Sequence, residues 1–205
     1  MSKELSSFGD HAEVTMQTKA AGNESVGIEG YYHVVCRDAA GNIKWEEEFP
    51  NLVNAVGKQL MLDTLLSGTT YTTVGPFLGL ISGASPTFTA ADTMTSHGGW
   101  TEFVNYTVGG SAVRGTADFS AAATSTGTTP SNVTTKAALS ITYTITGAGG
   151  TVGGCFLVTG PGAVSTISPS PSTAGTLYSA GAFATAKVTT AGDTVSVTYS
   201  TTATS

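Results

Sequence analysis

The clearest pattern in the chain is the alternation of apolar and polar residues. In segment 137–146 the apolar residues at every second position would share one face of a strand, and segment 195–199 repeats this pattern. Turns rich in glycine separate these and other short apolar segments, and glycine accounts for 26 of the 205 residues. Many short strands joined by such turns predict a mainly β protein, with a β-sandwich or jelly-roll-like domain.

The individual strands follow from the same pattern. Segments 31–37 and 43–49 flank the turn residues 38–42 and predict a hairpin with Ile43, Trp45 and Phe49 directed to the core. The strands predicted after residue 70 cover 77–81, 100–108, 112–119, 137–146, 151–158, 177–183 and 195–199. The predicted loops are 85–99, 121–135 and 161–174.

One stretch, at about residues 51–67, predicts an α-helix. Apolar residues cover almost its whole circumference, which is typical of a helix buried between two surfaces. Asn51 is a good N-cap, because its side chain can accept a hydrogen bond from a free backbone N–H group. Gly68 is a good stop, because glycine adopts the left-handed conformation easily. The stretch therefore predicts one buried α-helix around which the strands are organised.

The first 29 residues have a different character from the rest. They are mostly polar, and only Val14 and Met16 alternate with polar neighbours in the manner of a short strand. A terminal tail is one interpretation. An extended arm that becomes ordered on a neighbouring subunit is the other. The predicted organisation is thus an N-terminal arm over residues 1–29 and a β-sandwich domain over residues 30–205.

Charge and composition limit the classes of partner. Charged residues make up only 11% of the chain, the formal net charge is −6 and the pI is about 4.8. A nucleic-acid-binding protein needs a basic face to neutralise phosphates, so a nucleic-acid partner is not expected. No apolar run has the length of a membrane span and no signal peptide is recognisable, so neither a membrane partner nor secretion is expected.

The reactive residue types are scattered. Cys36 and Cys155 lie in apolar, strand-like segments and are expected to be small buried hydrophobic residues rather than a disulfide. There is no Gly-x-Ser-x-Gly elbow, and the glycine run 147–150 precedes a strand rather than a helix. The three histidines are far apart in sequence. We therefore expect no enzyme, and no catalytic, cofactor-binding or metal-binding residues.

Two charged features have plain structural interpretations. The acidic run 46–48 is expected to be a solvated strand edge that discourages aggregation, rather than a catalytic carboxylate pair. Arg114 is one of few cations after the helix, and a structural salt bridge is favoured over a contact with another chain. A calcium site at Asp92 has no loop motif to support it.

Two segments carry a resemblance to a known group of proteins. Segment 92–102 reads DTMTSHGGWTE and segment 192–199 reads GDTVSVTY. With segments 45–68, 77–81 and 175–183, they resemble a group of small all-β virion proteins of tailed bacteriophages. The similarity covers most of residues 30–200. Segment 109–114 departs from it, since a shorter link to the arginine is expected there.

The resemblance implies a capsid decoration or cement protein. Such a protein would bind the outside of the major capsid protein shell, associate with copies of itself as a dimer or trimer, and stabilise the head. It would be made in the host bacterial cytoplasm and end on the capsid surface of the virion. The alternative is a tail, fibre or spike β module that binds a host receptor or carbohydrate. Exposed aromatic residues would favour that alternative, but Trp45 and Trp100 both lie in strand patterns.

Overall fold

A computed structural model describes residues 27–66, 74–119, 123–124, 130–133 and 140–204. Most of the predicted N-terminal arm, with Val14 and Met16, lies outside the described residues, as does Gly68. Only the end of the arm, 27–29, is described. These three residues open the first strand, so the sheet begins before residue 30.

The described residues form thirteen strands and one helix. In chain order they are β1 (Gly27–Arg37), β2 (Ile43–Pro50), β3 (Leu52–Val53), α1 (Ala55–Leu66), β4 (Phe77–Ser82), β5 (Thr101–Phe103), β6 (Tyr106–Thr107), β7 (Gly115–Thr116), β8 (Ala123–Thr124), β9 (Pro130–Val133), β10 (Ile141–Ile145), β11 (Gly150–Thr159), β12 (Thr176–Thr189) and β13 (Thr194–Thr204).

The strands make two antiparallel sheets packed together, which confirms the predicted mainly β, sandwich-like fold. The first sheet has the order β2-β1-β13-β10-β6, with β9 on β13 and β8 on β9. The second has the order β3-β12-β11-β4-β5, with β7 on β4. Side chains that alternate inward from both sheets fill the space between them, including Tyr32, Tyr143 and Val197 from the first and Leu80 and Leu157 from the second.

The period-two pattern predicts the buried faces correctly. Ile141, Tyr143 and Ile145 of β10 are buried, while Thr142 and Thr144 between them are exposed. The apolar residues of segment 195–199 in β13 are likewise buried. The hairpin of β1 and β2 also forms as predicted.

Within that hairpin, Phe49 is buried and Trp45 is partly buried against the core, as predicted. The prediction for Ile43 is wrong, because its side chain is 53% exposed. The pairing register of β1 and β2 shifts between Cys36 and Arg37. Such a bulge adds a residue to one strand and turns the following side chains away from the face they would otherwise share.

The predicted single strand 100–108 is in fact two strands in different sheets. β5 pairs with β4, whereas β6 pairs with β10 of the other sheet. The chain crosses between the sheets at Val104 and Asn105, where the Asn105 amide donates to the Gly149 carbonyl at 2.8 Å. The apolar pattern continues through this corner because Phe103 and Tyr106 are both buried in the one core.

The helix differs most from its prediction. It begins at Ala55, since Leu52 and Val53 pair with β12 as β3 and the Asn51 side chain donates to the Tyr199 hydroxyl at 2.9 Å. Asn54 precedes the first turn, and its carbonyl accepts from Lys58 N at 3.1 Å. The Asn51 N-cap prediction is therefore wrong.

The helix is also not buried. Gly57 is its one buried residue, and Leu62, Leu65 and Leu66 are 57%, 75% and 79% exposed. The space between the sheets is filled by their own side chains, so α1 lies against β12 from outside. Gly57 meets the backbone of Tyr178, and the Tyr178 hydroxyl lies 3.5 Å from Met61 Sδ.

Gly57→Ala tests this close approach of α1 and β12. Alanine normally stabilises a helix interior relative to glycine by about 0.5–1 kcal/mol. Here a Cβ atom would lie 2.7 Å from the Tyr178 carbonyl oxygen and 3.0 Å from Tyr178 Cα, and both are backbone atoms. We expect a net loss of about 1–3 kcal/mol in the free energy of unfolding, measured by urea denaturation. Gln59→Ala, at an exposed position of the same helix, is the control and should change little. A Gly57→Ala variant as stable as the wild type would contradict the packing.

Candidate functional site

A buried ion pair anchors the second sheet. The Arg114 side chain is fully enclosed, and its Nε and one terminal nitrogen donate to the two Glu102 carboxylate oxygens at 2.9 and 2.7 Å. The other guanidinium bonds go to the carbonyls of Val164 at 3.0 Å and Ser172 at 2.6 Å. The guanidinium carbon lies 5.3 Å from the centre of the Phe156 ring. Such bidentate geometry suits the planar arginine fork.

This network is structural, as expected for Arg114. It connects β5 to the loop between β11 and β12, and the residue is only 1% exposed, so its charge cannot contact another chain. Burial raises the pKa of the Glu102 carboxyl, while the Arg114 guanidinium opposes that change. A carboxylate used in this way holds the loop in place and is not presented to a ligand.

In the segment 92–102 that carries the resemblance, Asp92, Met94 and Trp100 are buried. Met94 and Trp100 are buried beside Phe156 in a second core cluster. The His97 ring stacks on Trp100 with centroids 3.8 Å apart, and its Nδ1 lies 3.0 Å from the Trp100 carbonyl oxygen. Asp92 accepts hydrogen bonds from Thr89 N at 3.2 Å and Thr89 Oγ1 at 2.7 Å. These contacts give the segment a role in shaping the loop.

The acidic run divides between surface and interior. Glu46 and Glu48 are exposed on β2, an edge strand of its sheet, which agrees with the predicted solvated edge. Glu47 faces the second sheet instead, which the interpretation of 46–48 as a solvated edge does not predict. Its carboxylate accepts from Ala184 N at 2.6 Å and from Lys187 Nζ at 2.8 Å, both in β12 of the other sheet. The alternation of β2 contained this signal, because Glu47 lies between the inward residues Trp45 and Phe49.

A second buried carboxylate closes a turn. Asp193 is buried, and its Oδ2 accepts from Lys44 Nζ at 2.6 Å and Thr190 N at 2.8 Å. Burial works against ionisation, but these hydrogen bonds outweigh it and lower the pKa of Asp193. The Gly192-Asp193 pair, which opens the second segment of the resemblance, therefore joins the β12–β13 turn to β2.

Both cysteines are free and buried, as predicted. Burial, together with the nearby Asp193 charge, raises the pKa of Cys36 to about 11, and burial also raises the pKa of Cys155. Both thiols are therefore protonated at neutral pH, and neither provides the thiolate that nucleophilic chemistry needs.

In the described part of the chain, no group of three or more His, Cys, Asp or Glu side chains is placed to hold a metal ion. Two apolar grooves border the helix. The first, the α1–β1 groove, has a volume of about 580 Å³. It is lined by Gly27, Ile28, Glu29, Lys58, Met61, Leu62 and Leu65.

The second feature, the α1–β12 groove, lies on the other side of the helix and has a volume of about 300 Å³. It is lined by Leu60, Met61, Thr64, Leu65, Thr159 and Tyr178. Met61 and Leu65 border both grooves, so the apolar surface continues across the helix. The apolar pattern of the helix segment includes these residues but predicts that they are buried.

Most aromatic side chains, unlike the leucines of α1, are buried or packed against the core. Trp100 is buried and Trp45 packs against the core, with its ring edge-to-face on Phe183 at 5.3 Å. Among the described residues, Tyr31 is the one aromatic side chain that is substantially exposed. An aromatic platform of the kind that binds sugars is therefore not formed by these residues.

Comparison with known proteins gives no relative. No family model, no curated protein and no solved structure matches the chain. Of the helices in the residues described, none is long and apolar enough to cross a membrane. The α1 surface is therefore the candidate site on geometric grounds alone.

Glu102→Gln tests the buried ion pair. The substitution keeps the shape of the side chain but leaves the enclosed Arg114 charge without its counter-ion. Removing one partner of a buried pair costs about 3–5 kcal/mol, and we expect a loss of that size in chemical denaturation. Glu48→Gln, on the exposed side of β2, is the matched control and should stay within about 0.5 kcal/mol of wild type. Equal losses in the two variants would contradict the anchoring role.

Asp193→Asn tests whether the Asp193 carboxylate stabilises the β12–β13 turn, because its contribution to stability should depend on pH. A carboxyl whose pKa is lowered on folding stabilises the protein above its ordinary pKa, and this stabilisation is lost as the pH falls through the lowered value. We expect Asp193→Asn to be less stable than wild type by about 1.5–3 kcal/mol at pH 7. The difference should shrink as the pH falls below about 4. Thermal unfolding from pH 2 to 7 measures this, and a difference that does not vary with pH would refute it.

Proposed function

We propose that the protein is a virion structural protein, a capsid decoration or cement protein that binds the outside of the major capsid protein shell and stabilises the head. The observation that supports this most is the apolar surface of α1. Leu62, Leu65 and Leu66 are exposed next to two grooves. Contiguous exposed apolar surface of this kind marks a place of protein–protein contact.

The energetics favour a role in assembly. Burying one leucine side chain stabilises a contact by about 1.5–3 kcal/mol, so burial of several leucines drives association. The same residues would be a liability on a protein that worked alone at high concentration. A subunit that is always packed against neighbours has no such cost.

The rest of the molecule suits a rigid clamp. The Arg114–Glu102 pair, the Glu47 bonds to β12 and the Asp193 turn all tie separate elements together with buried charges. None of these charges lines the α1–β1 groove or the α1–β12 groove. Their shared consequence is a stiff body that can hold its neighbours at fixed positions, as copies do in a closed symmetric assembly.

Electron microscopy of intact particles tests the proposal. We expect an even coat of this protein over the head, in contact with the major capsid protein, and heads that break at lower temperature when it is missing. Density at a single vertex or on the tail would contradict the proposal, as would unchanged heat resistance of heads that lack the protein. The first result would favour the receptor-binding alternative.

A pair of variants tests whether the α1 surface makes the contact with the head. Leu62→Asp combined with Leu65→Asp should lower occupancy on particles at least about tenfold, because two buried leucines would be lost from the contact. Val188→Asp is the matched control. Val188 is 66% exposed on β12 and lines neither groove. Equal occupancy of the double variant and the control would exclude α1 as the contact.

A further inference from the structure

Residues 27–29 of β1 line one side of the α1–β1 groove and have no partner strand on one edge among the described residues. β1 pairs with β13 along its whole length, to Gly27 opposite Thr204. Its pairing with β2 ends earlier, at Tyr31 opposite Pro50, and is followed by one bond from Asn51 N to the Gly30 carbonyl at 2.9 Å. Among the residues that the structure describes, no strand pairs with that side of 27–29.

The backbone groups of Ile28 lie at this edge. In an antiparallel strand, the N–H and C=O groups of every second residue are directed to the same side. Because the Gly30 carbonyl bonds to Asn51, the backbone groups of Ile28 are directed to the same side as Asn51, from which the chain leads into β3 and α1. A sheet edge with free N–H and C=O groups is a template for an added strand.

The opposite wall is the apolar face of α1. Met61, Leu62 and Leu65 line it, and Lys58 and Glu29 supply one charge of each sign. A peptide in the extended conformation could bond to Ile28 with its backbone and lay alternate side chains on the leucines. Strand addition of this kind takes its affinity from main-chain hydrogen bonds and its specificity from the pockets for alternate side chains.

We infer that the groove binds the N-terminal segment of a second copy of this chain, centred on Val14–Met16. This inference rests on the proposed assembly function and divides the apolar surface of α1. The α1–β1 groove contacts another copy, and the α1–β12 groove with the exposed Leu66 is left for the capsid shell. Val14 and Met16 alternate with polar residues, as a strand on an apolar wall requires. Glu13 precedes them and Lys19 follows, so the segment carries charges that can pair with Lys58 and Glu29 of the groove.

The length of the chain before β1 permits exchange between copies. Ten residues separate Met16 from Gly27 and can span up to about 35 Å when extended, enough to reach the groove of an adjacent copy. Every copy carries one such segment and one groove. Exchange about a closed rotation axis, in a reciprocal dimer or in a ring, fills every groove.

A cysteine crosslink tests the exchange. Val14→Cys and Leu62→Cys are made in separate chains, co-expressed, purified and oxidised, and the crosslinked peptides are identified by mass spectrometry. Cys36 and Cys155 are buried and do not compete. We expect disulfide-linked pairs of one Val14→Cys and one Leu62→Cys chain. Their yield should exceed that of the Val188→Cys control by at least about tenfold, since docking raises the effective concentration of the two thiols.

Two results would overturn the inference. One is the absence of the mixed crosslink. The other is a crosslink that forms only within one chain of the double variant Val14→Cys/Leu62→Cys, which would place the segment on its own subunit. The measurement uses purified protein without particles, so its outcome is separate from the location on heads. Exchange without head binding would refute the proposed function alone, and head binding without exchange would refute the inference alone.

Discussion

The burial of two alternating apolar faces against each other is the constraint on which the rest of this structure depends. Hydroxyl groups at the ends of some of these side chains fix the position of one sheet relative to the other. The Tyr143 hydroxyl donates to the Leu78 carbonyl at 2.8 Å, and the Tyr32 hydroxyl lies 2.9 Å from Ser179 Oγ. Both contacts run from the first sheet to the second through the core. A buried hydroxyl without a partner is costly, so these bonds select one relative placement of the sheets.

Buried charges at the periphery of the core also hold separate elements in fixed relative positions. Arg114 joins β5 to the β11–β12 loop, Glu47 joins β2 to β12, and Asp193 joins the last turn to β2. Each connects elements distant in sequence, which local propensity cannot specify. Several of the few charged residues after α1 thus make structural contacts. Among the described residues, the apolar surface of α1 remains available for contact with other molecules.

The position of α1 shows how the filled core leads to a functional surface. The all-round apolar pattern of segment 51–67 predicts burial between two surfaces, but the structure packs α1 against one, β12, with Gly57 at the contact. The two sheets leave no room for the helix between them, so its remaining apolar residues stay outside, next to the part of β1 whose edge no described strand covers. This combination arises from packing rather than from any motif.

The sequence alone determined the fold class, the hairpin, most strand positions and the inward faces of β10 and β13, because the period of two is a local property of the chain. It also determined that Cys36, Cys155 and Trp100 are buried, since each lies in an apolar strand-like segment. Tertiary structure decided the rest. The sheet change at Asn105, the outward turn of Ile43 and the inward role of Glu47 depend on which strands become neighbours. The exposure of α1 depends on the volume that the other side chains already occupy, and no local pattern contains that volume.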